Sequence, residues 1–153
     1  MTTIILTIIG ILLAAAAALM VIFYGGDAFN SGSIGAQANT LQNAGTNVES
    51  AATLFKVEQA SDATNVGALV TGGYLKEAPA LTGVGTLVTD FTDADGDDFN
   101  ELTVTGVSNE VCLKVNENLA VAPTAIGEGK MGCVPVADDA TTGAGASTFY
   151  AEM

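Results

Sequence analysis

The sequence predicts an α+β protein: a long N-terminal spine helix, hydrophobic in its first half and amphipathic in its second, packed on a small antiparallel β-sheet head. Three observations carry this. Residues 4–23, IILTIIGILLAAAAALMVIF, contain nothing more polar than Thr7 and Gly10, and about 20 such residues form a helix long enough to cross roughly 30 Å of hydrocarbon. Downstream, Ile34, Leu41, Val48 and Phe55 recur at a seven-residue spacing that keeps them on one helical face. The pattern then changes to short β-branched runs between Gly- and Asp-rich breaks, as strands and turns require.

Element by element, residues 1–26 form an apolar helix, 27–60 its amphipathic continuation and 61–153 the head. Ala38, Ala44, Ala51 and Ala52 fill the same side of the second segment as the larger apolar residues, while Gln, Asn, Thr and Glu face away. Gly32, Gly35 and Gly45, with no flanking charge pairs, argue against a coiled-coil seam. Val66–Val70 leads into Gly72-Gly73-Tyr74-Leu75-Lys76-Glu77-Ala78-Pro79. Strands are expected at Thr86–Phe91, Leu102–Val107 and Met131–Val136. Between the last two, Ser108 is placed to cap a short helix that aligns Val111, Cys112, Val115 and Leu119 on one face. Ala137–Ser147 reads as a loop by composition, and Thr148–Ala151 as a returning strand that ties down the C-terminus.

The 153 residues carry 17 Asp+Glu against 4 Lys+Arg, a net charge of -13, with no His and no Arg. The four lysines are scattered at 56, 76, 114 and 130. Nucleic-acid binding by the chain's surface is not expected, because duplex affinity comes mainly from Lys and Arg on phosphates. No enzyme is visible either. The commonest general base is absent, and Gly72-Gly73 and Gly83-Val84-Gly85 lack the lysine or helix start of a phosphate loop.

Three readings compete for the N-terminal segment: a cleavable signal, a plain membrane anchor, and a helix that packs against copies of itself. A signal begins with a basic region and a single-span protein carries Lys or Arg on its cytoplasmic flank, yet the first basic residue here is Lys56. An economical reading is a mature chain whose charged leader has been removed. In this the sequence resembles type IV pilins and pseudopilins, and Met1 followed by Thr2 is similar to the type IVb branch. Gly10 and Ala14–Ala18, small residues that let helices approach closely, fit the same family, as does a Gly-Tyr-Leu step followed by proline at 73–79.

The resemblance implies processing by a prepilin peptidase, with Met1 as the processed and methylated residue. It also implies residence in the inner membrane, handling by the assembly machinery there, and homopolymerisation into an extracellular helical filament. The assembly helix would act through Ile4, Ile5, Ile8, Ile9, Leu12, Leu13, Met20 and Phe23. Two departures stand out. The family usually has glutamate at the fifth mature position, where this chain has Ile5, and a helix-kinking proline in the early twenties, whereas the first proline here is Pro79. Thr2, Thr3 or Thr7 hydroxyls are expected to share the registration contact, and Gly25-Gly26 to replace the proline as a flexible point, since Gly weakens a helix by roughly 1 kcal/mol relative to Ala.

Two cysteines in an exported context point to a Cys112–Cys133 disulfide, and the resemblance implies the same bridge around a surface-exposed C-terminal region. Their spacing is far from a redox Cys-x-x-Cys, and two Cys without His leave zinc short of ligands. No cofactor is required, but Asp93, Asp95, Asp97, Asp98 and Glu101, with Asp90 nearby, resemble short Asp-x-Asp-Gly-Asp calcium loops. Two readings stay open for this run, a calcium site and a solvated acidic turn between strands. The expected function is structural: the repeating subunit of a type IV pilus-like filament serving adhesion, motility or uptake. The alternatives are a minor pseudopilin of a secretion system and a membrane-anchored calcium-binding module that does not polymerise.

Overall fold

The computed structural model describes residues 2–93, 100–122, 125–126, 130–135 and 147–153, the side chains of 2, 3 and 23–28 excepted. The chain divides into two compact units, Met1–Ile34 and Gly35–Met153. Helix α1 (Thr2–Gln59) supplies the described residues of the first unit and opens the second. It contains no proline, and its glycines, Gly25 and Gly26 included, are accommodated within the helix. Ala60 follows it with a left-handed φ of 53°, the turn that commonly ends a helix. Along the solvent side of α1, the hydroxyls of Thr40, Thr46, Ser50 and Thr53 donate to the carbonyls four residues earlier at 2.8–2.9 Å. Those side chains are therefore satisfied within the helix.

In the second unit the remaining elements are α2 (Val66–Thr71), β1 (Thr86–Leu87), β2 (Glu101–Val107), α3 (Asn109–Leu119), β3 (Met131–Val134) and β4 (Ser147–Glu152). The four strands form one antiparallel sheet in the order β1-β2-β4-β3. The C-terminal strand is thus central. Leu102 pairs with Ala151 and Val104 with Phe149 across the β2–β4 ladder, while Met131 and Cys133 meet the same two β4 residues from the other side. Since partners in register share a face of the sheet, these six side chains build one face. The register shifts between Val104 and Val107, where Gly106 takes a φ of 78°, the usual setting for a β-bulge.

The amphipathic half of α1 lies on that face. Leu41 and Val48 are fully buried, with Ala38, Ala44, Ala51 and Ala52 beside them, and Phe55 is half-buried. Gly45 lies at a close approach of helix and sheet. A Cβ there would come within 2.8 Å of Met131 Cε, 3.1 Å of Phe149 Cζ and 3.2 Å of Ala151 Cβ. The architecture is the α+β arrangement expected, and Ser108 does cap α3, its hydroxyl accepting from the Val111 N–H.

Two expectations need correction. The strand expected over Thr86–Phe91 is only Thr86–Leu87. Beyond it Val88 still donates to Thr103, but Phe91 donates to Thr64 and Asp90 bridges to Asn65, so the chain leaves the β2 edge to pair with the segment before α2. The strand expected to reach Val136 stops at Val134, because Pro135 has no N–H to offer a ladder; Val136 lies outside the described residues. Val66–Thr71, unassigned from sequence, is a helical turn capped by Asn65, whose side chain accepts from the Ala68 N–H at 2.7 Å.

Candidate assembly surface

In the first unit, Ile4–Ile22 is a 19-residue helical stretch of mean hydropathy 2.9 with none of it buried. It is long and apolar enough to cross a membrane. Ile4, Ile5, Ile8, Ile9, Leu12, Leu13 and Met20 are all exposed, between 48% and 67% of their surface remaining open. Contiguous apolar exposure on this scale marks a surface that meets lipid or protein rather than water. The Phe23 side chain and Met1, also expected in this surface, lie outside the described residues.

The second unit is organised to hold its half of α1 firmly. At the C-terminal end of α1, Phe55 and Tyr74 meet edge to face with ring centroids 5.3 Å apart. The Tyr74 hydroxyl donates to Glu58 at 2.7 Å and accepts from Gln59 at 3.3 Å. The Gly-Tyr-Leu step therefore anchors the post-helix segment to the last turn of the spine. Leu75 and Tyr74 both donate their backbone N–H to Leu69 O, closing the end of α2.

At the other edge of the sheet, Cys112 and Cys133 form the disulfide, joining α3 to β3 with a Cα–Cα distance of 5.3 Å. One helical turn after Cys112, Asn116 reaches the same residue. Its amide donates to the Cys133 carbonyl at 2.7 Å and its side-chain oxygen accepts from the Cys133 N–H at 2.9 Å. An edge strand ordinarily exposes such groups to unwanted pairing, and β3 is an edge strand. Here a single carboxamide takes the place of a neighbouring strand. Sequence reasoning placed Val111, Cys112, Val115 and Leu119 on the inner face of α3 but missed Asn116, which is 8% exposed, whereas Leu119 is only half-buried. The signal was present in the Cys-x-x-x-Asn spacing, which stacks both residues on one face.

Of the candidate calcium ligands, Asp95, Asp97 and Asp98 lie outside the described residues. Of the remainder, Asp93 directly follows Thr92, which bridges to Glu101. Glu101 opens β2 at 1% exposure, its backbone hydrogen-bonded both ways to Thr92 and its Cα in register with Glu152. Among the described residues no group of three or more Cys, Asp or Glu is arranged to hold a metal ion.

A shallow groove of about 410 Å³ lies between α1 and the segment after α2, lined by Asn47, Ser50, Leu54, Tyr74, Lys76 and Pro79 among others. Sequence reasoning did not anticipate it, because it joins two segments distant along the chain. Comparison with protein-family models, curated proteins and solved structures returns no match to this chain.

Proposed function

We propose that this chain is the structural subunit of an extracellular, type IV pilus-like filament, non-enzymatic, held in a membrane through Ile4–Ile22 before assembly and polymerised through the same residues afterwards. The observation that carries the reading is the division of α1. Its first part exposes an uninterrupted apolar surface, and its second part buries an apolar stripe against its own head. A helix used only as an anchor needs no such continuation. A helix that must deliver a folded head to the outside of a bundle does.

The physical logic is burial. Outside lipid, the apolar helix is stable only when the same helix from neighbouring copies surrounds it, and the head, bearing nearly all the charge, then faces the medium. At -13 per copy, laterally adjacent filaments repel one another at low ionic strength and less so as salt screens them. Adhesion, motility or uptake is the use such a filament would serve.

The test is recovery. Filaments sheared from cells that make the chain should contain it as the dominant band, identified by mass spectrometry, and replacing Leu12 by Asp should abolish them. A chain found only as single copies in the membrane fraction, with none in sheared material, defeats the proposal in favour of an anchored binding module. A chain present in filaments only in traces favours a minor pseudopilin.

A further inference from the structure

We propose that Asn116 is the positioning residue for the Cys112–Cys133 disulfide. Its carboxamide holds Cys133 in register against α3 while both cysteines are still thiols, so that oxidation joins two sulfurs already placed. The inference concerns the second unit alone and does not depend on the filament reading.

One residue of β3 is gripped by two residues of α3. Cys112 and Asn116 stand four apart on that helix and so lie one above the other on the same face. Cys112 takes the Cys133 side chain through the disulfide. Asn116 takes its main chain, donating to the carbonyl at 2.7 Å and accepting from the N–H at 2.9 Å. Both cysteines are fully buried and Asn116 is nearly so, so water competes little for these groups. The two hydrogen bonds use only the carboxamide and the peptide groups, which reduction of the disulfide leaves chemically unchanged.

The grip also selects register. In an extended strand the N–H and C=O of one residue point to the same side, and the next residue's point the other way. Cys133 turns its pair outward to Asn116. A slip of β3 by one residue would turn that pair toward β4 and carry the Cys133 side chain to the opposite face of the sheet, away from Cys112. A slip by two in one direction sets Pro135 against Asn116, with no N–H to donate. In the other direction it sets Met131 there and moves Cys133 about 7 Å along the strand. Of these registers, only the one observed gives Asn116 both partners and Cys112 a sulfur.

Oxidation by a small disulfide such as oxidised glutathione takes two exchanges. One cysteine thiolate attacks the oxidant, expels one thiolate and forms a mixed disulfide. The other cysteine, as thiolate, attacks the protein sulfur of that bond and expels the second. Two electrons pass to the oxidant, which leaves as two thiols carrying the protons that the cysteines lost. Asn116 acts on the second exchange. Across a flexible loop of this length, the sulfurs would meet at an effective concentration on the order of millimolar; with β3 docked on α3 they meet far more often.

The test measures that effective concentration in the full chain in detergent. The chain is equilibrated with reduced and oxidised glutathione, and free thiols are alkylated and counted by mass spectrometry. Asn116→Ala and Asn116→Leu, the second close in volume but without polar atoms, should each lower it roughly tenfold, the scale of one or two net hydrogen bonds. Val66→Ala is the control for a general loss of stability. It removes buried methyls from α2, whose first residue bonds to Thr89 near the β1 edge of the sheet, and should leave the thiol equilibrium within about twofold of the unaltered chain. A second measurement needs no variant. In the unaltered chain kept reduced by excess dithiol, the Cys133 amide should exchange its hydrogen at least roughly tenfold more slowly than in an unfolded chain, because Asn116 still accepts from it. An unchanged thiol equilibrium in both Asn116 variants, an equal fall in Val66→Ala, or an unprotected Cys133 amide in the reduced chain overturns the proposal.

Discussion

Replacing Asn116 by Ala removes both partners of the Cys133 peptide groups at once. Cys133 is fully buried and its N–H and C=O are hydrogen-bonded to the one carboxamide at 2.9 and 2.7 Å. A buried polar group stripped of its partner costs about 1–3 kcal/mol. Two such losses, softened by water entering at a sheet edge, give roughly 3 kcal/mol, or about 10 °C in melting temperature for a unit of this size. The assay is thermal and urea unfolding of the full chain in detergent, followed by near-ultraviolet circular dichroism of its tyrosines. Thiol titration confirms that Cys112–Cys133 still forms. Asn116→Asp should be no better, because it keeps an acceptor for the Cys133 N–H but loses the donor to the carbonyl and buries a charge. A loss below about 0.5 kcal/mol, within the scatter of ordinary surface substitutions, would refute the view that this side chain stands in for a strand.

Other substitutions probe the helix–sheet contact, the helix ends and the disulfide. Gly45→Val should destabilise the second unit by about 2–3 kcal/mol through overpacking against Phe149 and Ala151. Gly32→Ala, where a Cβ meets nothing within 4 Å, should gain up to about 1 kcal/mol of helix stability in detergent; denaturant titration of both checks the contrast. Ala120, the left-handed C-cap of α3 at φ 55°, should tolerate Gly with a gain of about 0.5–1 kcal/mol, the relief of left-handed strain being partly offset by unfolded-state entropy. Reducing the disulfide, or replacing both cysteines by Ser, should cost roughly 3 kcal/mol, as expected for a closed loop of about 20 residues, read as a lower urea midpoint.

Much of this architecture was legible because it is encoded at short range. The stripe from Ile34 to Phe55 repeats at helical spacing and needs only a partner surface to be read, and the structure supplies that surface at Leu41 and Val48. Ser108 announces α3 through chemistry local to four residues. What was not legible depends on contacts between distant segments. Nothing in Ser147–Glu152 says that the last strand is inserted between β2 and β3, because strand order is a property of the whole sheet. Gly45 looked like one more helix-weakening glycine; its purpose is set by Met131, Phe149 and Ala151, which lie far along the chain. Asn116 was passed over because a polar residue on a helix is ordinarily solvated, and only the open edge of β3 explains its burial. Phe91 ended a promising β-branched run, yet its N–H belongs to Thr64 rather than to β2.

The most direct test of the central claim is a cryo-electron microscopy reconstruction of filaments sheared from cells producing this chain. Ile4–Ile22 should pack helix against helix at the filament axis, shielded from water by copies of itself, with the acidic heads forming the outer surface. Filaments built of some other protein, or of this one with Ile4–Ile22 on the outside, would contradict it.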